Sequence, residues 1–207
     1  MIKSTLYILS VCLCCEYSVA SVIVNTTYGP VNGSVISLST SKTVITYLGI
    51  PFAKAERFEY PVAPEKWTTT LQANKTDKIC PQPSLPGQPS RLSLMSEDCL
   101  LLNVYVPGNA TSSSRLAVML WIHGGAYIIG DTLFYDGSFL ATEGNVIVVT
   151  AAYRLGVFGF LSSSRDNLKG NYGMLDQIEA MKWVNKNIER YVKRLLLFVS
   201  FYEYSLK

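Results

Sequence analysis

The chain has 207 residues, a formal net charge of +3 and a mean hydropathy of +0.22. With 49% hydrophobic and 16% charged residues it can bury a real core, which excludes a wholly disordered chain. So small a positive balance leaves no electrostatic footprint for nucleic acid.

The first twenty residues read as a secretory signal. Lys3 supplies the positive end, and Leu6 to Cys15 is an apolar run too short to span a bilayer. Ser18-Val19-Ala20 places small residues where a signal peptidase needs them, predicting cleavage after Ala20 and a secreted product. A short buried helix is the alternative, but polar, sequon-bearing sequence follows at once. Cleavage leaves about 187 residues (207 minus 20) and only Cys80 and Cys99 of the five cysteines. In an oxidising compartment these either pair or stay as two unrelated buried thiols. A bridge would close a loop of about twenty residues and contribute about 3 kcal/mol, mainly by restricting the unfolded chain. Asn-x-Ser/Thr sequons begin at Asn25, Asn32, Asn74 and Asn109, predicting a glycan on at least one surface turn.

Val22 to Ile45 mixes β-branched residues with Gly, Asn and Ser, which predicts short strands joined by tight turns. Gly29-Pro30-Val31-Asn32-Gly33 reads as one such turn. Pro61 to Arg91 carries six of the nine prolines and reads as loop. Leu100 to Val106 is a predicted strand. Leu116 to Ile122 and Val146 to Ala151 are apolar runs without alternation, the pattern of strands buried on both faces of a parallel sheet. Gly173 to Arg190 reads as a helix, with Leu175, Ile178, Met181, Val184 and Ile188 as its core face. Lys182, Lys186 and Arg190 form a solvated face near its C-terminus, where positive charge suits the helix dipole. Strand, glycine turn, strand and long helix together indicate α/β organisation.

Three segments carry a resemblance. The first is Gly49-Ile50-Pro51-Phe52-Ala53 with Arg57-Phe58 and Trp67. The second is Ser96-Glu97-Asp98-Cys99-Leu100-Leu101-Leu102-Asn103-Val104-Tyr105-Val106-Pro107. The third runs from Trp121-Ile122-His123-Gly124-Gly125-Ala126 through Tyr153-Arg154-Leu155-Gly156 to Gly170-Asn171-Tyr172-Gly173-Met174-Leu175-Asp176-Gln177 and Trp183-Val184. In order and spacing, across roughly residues 28–189, this series resembles the type-B carboxylesterase and cholinesterase family of α/β-hydrolases. The resemblance implies a small N-terminal antiparallel sheet followed by the first strands of a mostly parallel central sheet, truncated relative to a whole hydrolase. Residues 21–190 would be that part, and 191–207 a divergent tail.

The family's chemistry is acyl transfer on small-molecule carboxylic esters through a serine acyl-enzyme, without a cofactor. By resemblance, the amides of Gly124 and Gly125 would stabilise the tetrahedral oxyanion, and Ala126 would complete the turn. The resemblance also implies ion pairs Arg57–Glu97 and Arg154–Asp176, and a first disulfide loop at Cys80 and Cys99. The stretch between those cysteines contains no aromatic residue, which argues against choline esters.

The resemblance breaks after Arg190. No Gly-x-Ser-x-Gly occurs in the 207 residues, and the single histidine, His123, stands in the turn itself. No residue is therefore assigned as nucleophile, acid or base. One histidine and two cysteines do not make a zinc set, so no metal is expected. Leu195 to Val199 is too short to cross a membrane, and nothing signals an oligomeric state. The expectation is a secreted member of the esterase family, inactive as this chain. Its alternatives are a non-catalytic secreted binding or adhesion protein and a non-functional truncated product.

Overall fold

A computed structural model describes residues 22–84, 91–111, 113–164 and 168–191, and the backbone of 194–201. The predicted secretory signal lies outside the described residues, as does the end of the tail, 202–207. The elements are β1 (Val22–Asn25), β2 (Pro30–Ser37), β3 (Thr43–Pro51), β4 (Leu71–Gln72), β5 (Leu101–Pro107), β6 (Leu116–Ile122), α1 (Ser138–Gly144), β7 (Ile147–Ala151), α2 (Gly156–Phe160), α3 (Tyr172–Asn187) and β8 (Arg194–Phe201).

The strands form one mixed sheet in the order β1-β2-β3-β5-β7-β6-β8, with β4 alongside β2. From β1 to β7 the neighbours along this path run antiparallel. On both sides of β6 they run parallel. The long apolar runs fill the middle of the sheet, where every residue of β5 and β7 is buried. Alternation then sorts the side chains between the faces. Ile147, Val149 and Ala151 share a core with Ala180, Trp183 and Val184 of α3. Val148 points the other way, joining Val44, Tyr105 and Ala141 of α1. Helices thus cover both faces, the α/β arrangement the sequence predicts. Burying each Val, Leu or Ile contributes roughly 1.5–3 kcal/mol before the cost of ordering the chain.

Three expectations need correction. The predicted turn at Gly29–Gly33 lies earlier, at Thr26–Gly29, and Pro30–Gly33 already pairs with β1. Thr26 sets the position: its hydroxyl donates to the Gly29 carbonyl at 2.8 Å and accepts from the Tyr28 and Gly29 amides at 3.1 Å. Proline is tolerated as the first residue of a strand.

The β6 strand is not buried on both faces. Leu116, Val118, Leu120 and Ile122 are buried, while Ala117, Met119 and Trp121 are half-covered on the side of α1.

The helix is present, but its core face is rotated from the predicted stripe. Asp176, Gln177, Ala180, Trp183, Val184 and Asn187 are buried, whereas Ile178 is 43% exposed. Burial of Asp176 against Arg154 fixes that rotation. Val184 and Ile188 are common to the predicted and observed faces, and Met181 packs half-buried against the same core. Lys182, Lys186 and Arg190 are exposed as the sequence suggests.

The tail was read only as divergent, yet Arg194–Phe201 adds a strand parallel to β6. Among the described residues, no helix is long and apolar enough to cross a membrane.

Candidate functional site

The glycine turn follows β6 and folds tightly on itself. The Gly125 carbonyl accepts from the Ile128 and Ile129 amides, at 3.0 and 3.1 Å. Gly125 has φ +112°, and a Cβ there would sit 1.9 Å from the Ile129 carbonyl oxygen. Only glycine permits that backbone and that approach. Ala126 and Tyr127 follow at φ +55° and +61°, a left-handed pair that costs free energy unless the surroundings enforce it.

The surroundings do enforce it. Tyr153 stacks on His123, with ring centroids 4.5 Å apart, and its hydroxyl donates to the His123 carbonyl at 3.0 Å. The Gly156 amide donates to the Tyr127 carbonyl at 2.7 Å. His123 is buried, and its Nδ1 donates to the Gly124 carbonyl at 2.9 Å. That bond assigns the ring proton to Nδ1. Burial pushes the His123 pKa below its ordinary value, against opposing contributions from the Gly124 bond and Asp131. With its ring committed to the turn, His123 serves as a wedge under the backbone. Among the described residues, the Gly124, Gly125 and Ala126 amides donate to no acceptor.

The other residues singled out from the sequence fall into scaffold positions. Cys80 and Cys99 are joined by a disulfide, with Cα atoms 5.0 Å apart. Arg57 reaches Glu97 through Nε, at 3.0 and 3.1 Å to the two carboxylate oxygens, and through Nη2. The guanidinium holds the Glu97 carboxyl below the usual range, but both side chains are exposed, so the pair contributes little. Arg154 and Asp176 are buried together. The carboxylate accepts from the Arg154 backbone amide at 3.0 Å and from Nε and Nη2 at 2.8 Å each. Burial pushes the Asp176 carboxyl up, and the Arg154 donors oppose it. Of the sequon asparagines, Asn25, Asn74 and Asn109 are exposed, while Asn32 donates to Gln72 at 2.9 Å.

Sequence reasoning passed over four residues that shape the turn: Gln82, Arg91, Gly130 and Asp131. Gln82 and Gly130 exchange two hydrogen bonds, and Arg91 donates to the buried Asp131 at 2.6 Å. The position of Gln82 two residues after Cys80 was the only available hint, and it carries no periodicity.

The sequence pattern of the carboxylesterase family matches residues 20–191. The chain is 43% identical over 186 residues to acylcarnitine hydrolase of Mus musculus, covering 83% of this chain and 33% of that protein. It is 46% identical over 179 residues to para-nitrobenzyl esterase of Bacillus subtilis (strain 168), covering 82% of this chain and 35% of that protein. A solved PNB esterase superposes with a TM-score of 0.73 at 44% identity, over 87% of this chain and 37% of that one. A thermophilic PNB esterase superposes with a TM-score of 0.75 at 42% identity, over 87% of this chain and 38% of that one. The chain spans about a third of the length of the curated relatives it matches. Together the pattern match, the identities and the superpositions place this chain in the carboxylesterase family.

Proposed function

We propose that this chain is the oxyanion-binding part of a secreted hydrolase of small-molecule carboxylic esters. Gly124 and Gly125 are the donors, with Ala126 completing the turn. The observation that carries this reading is the run of three amides that, among the described residues, have no acceptor, on a backbone with positive φ at Gly125 and Ala126. Such donors stabilise charge as it develops on the carbonyl oxygen, and each one is worth roughly 10²–10³ in kcat.

Attack on an ester also requires a nucleophile and a proton shuttle. The 207 residues hold no serine elbow, and His123 is buried with its Nδ1 committed to the Gly124 carbonyl. We therefore expect no ester turnover from this chain alone.

Two measurements test the reading. The purified 207-residue chain, mixed with a p-nitrophenyl ester, should release no burst of nitrophenol above background; a stoichiometric burst would overturn the assignment. In a chimera, residues 22–190 replace the matching segment of the Bacillus subtilis esterase. It should hydrolyse the ester, and Gly125→Ala should lower its kcat roughly 100- to 1000-fold. An active chimera indifferent to that substitution would remove the turn from the chemistry.

A further inference from the structure

The loop closed by the disulfide and the glycine turn are far apart in sequence but meet at one point. The Gln82 side-chain amide lies flat against the Gly130 backbone. Its Oε1 accepts from the Gly130 amide at 2.8 Å, and its Nε2 donates to the Gly130 carbonyl at 2.9 Å. The same Nε2 donates to the Cys80 carbonyl at 3.1 Å. Both amide hydrogens and the amide oxygen are therefore engaged, and the side chain mimics a strand partner across two chain segments. One end of that arrangement is fixed covalently, because Cys80 is bonded to Cys99.

Gly130 in turn presses on the functional backbone. At φ +133°, a Cβ on Gly130 would stand 2.2 Å from His123 Nδ1 and 2.7 Å from the Gly124 carbonyl oxygen. That carbonyl accepts the His123 Nδ1 proton. Residues 125–129 are closed by the two bonds into the Gly125 carbonyl. A displacement of Gly130 therefore moves the peptide whose amides have no acceptor among the described residues. A second tie beside it, from Arg91 to Asp131, holds the next residue from the same disulfide loop.

We propose that Gln82 is a positioning residue: its amide couples the Cys80–Cys99 loop to Gly130 and so holds the Gly124–Gly125 backbone in place. The proposal rests on reading that turn as oxyanion-binding, but its test needs no catalysis. Failure of the clamp and failure of the oxyanion reading are therefore distinguishable.

The experiment is residue-resolved amide hydrogen exchange on the ¹⁵N-labelled full chain, with unmodified protein measured in parallel at each pH. Gln82→Ala should speed exchange at Gly130 by tenfold or more and at Ile128 and Ile129 by several-fold. Val104 in β5 and Val149 in β7 should be unchanged. Gln82→Glu carries the sharper test. A neutral carboxylic acid offers one donor and one acceptor in nearly the same shape, whereas a carboxylate repels the Gly130 carbonyl. Its oxygen still accepts from the Gly130 amide, so near pH 7 this variant should exchange faster than the unmodified chain but more slowly than Gln82→Ala. Near pH 4 its protection factors at Gly130 should return to within about twofold of the unmodified chain. Only the donor–acceptor clamp predicts that recovery, so it also decides the case should Gln82→Ala unfold. Protection at Gly130 that survives both substitutions at both pH values overturns the proposal. So does a Gln82→Glu chain that never recovers at low pH.

Discussion

The buried pair Arg154–Asp176 offers the most demanding test of the fold. Asp176 is 0% exposed and Arg154 5% exposed at the side chain, so neither charge is solvated. The carboxylate collects three Arg154 donors, and the remaining guanidinium nitrogen, Nη1, donates to the Glu59 and Glu56 carbonyls at 2.8 and 3.3 Å. Asp176→Ala removes the anion and leaves a cation buried among carbonyls. Each charged hydrogen bond is worth about 1.5–3 kcal/mol. The three share one partner and relax together, so they do not add. The expected loss is that of breaking a buried pair from one side, about 3–5 kcal/mol. That is comparable with the whole stability of an ordinary domain, about 5–15 kcal/mol.

The double replacement Arg154→Met/Asp176→Leu should do less harm than Asp176→Ala alone, within about 2 kcal/mol of the unmodified chain, because it leaves no buried charge. Glu56 and Glu59, whose carbonyls lose their donor, are exposed and can turn to water. Urea unfolding followed by tryptophan fluorescence gives both numbers, and Trp183, buried in α3, reports on the relevant core. Two outcomes would refute the reasoning: Asp176→Ala within about 1 kcal/mol of the unmodified chain, or a double variant as unstable as the single one.

Three further outcomes are expected. Burial lowers the His123 pKa from 6.5, so the unfolded chain takes up this proton more readily than the folded one. His123 therefore leaves stability intact above about pH 6.5 and reduces it as pH falls towards the folded pKa. As His123 is the only histidine, one NMR resonance should titrate with a midpoint below 6.5, and a midpoint at or above it would contradict the burial argument. Replacing Cys80 and Cys99 together by alanine should lower the unfolding free energy by about 3 kcal/mol through loop closure, and an unshifted urea midpoint would count against it. The Trp183 indole N–H is buried with no hydrogen-bond partner among the described residues. Trp183→Phe should therefore cost much less than the roughly 3–5 kcal/mol of Trp183→Ala, a contrast visible in thermal melts.

How much of this was legible in the sequence follows from the kind of signal each feature leaves. Strands β5, β6 and β7 were predicted because apolar runs ended by glycine or polar residues reflect burial directly. The α3 helix was predicted but misrotated. Hydrophobicity favoured Ile178, whereas the packing is set by Asp176, a charged residue drawn inward by a partner 22 positions earlier. Local pattern cannot encode that pairing; only the family resemblance suggested it. The half-covered face of β6 was missed for a similar reason, since Ala117, Met119 and Trp121 are as apolar as the residues opposite. The turn at Gly124–Ala126 was visible by resemblance, but the Gln82 clamp was not. Its partners are 48 residues apart, and both of its bonds run to backbone atoms, which have no sequence identity.

The strand order has a consequence for how the chain assembles. β5 and β6 are neighbours in sequence, separated by residues 108–115, yet β7 lies between them in the sheet. A direct β5–β6 hairpin is the quickest contact to form, and it is non-native. The slot must stay open until residues 147–151 arrive, with Val104 and Leu120, both fully covered in the finished protein, facing water in the interval. Pulse-labelling during refolding should find the β5 amides protected no earlier than those of β7. Slower delivery of residues 123–151 during synthesis should increase the fraction lost to aggregates.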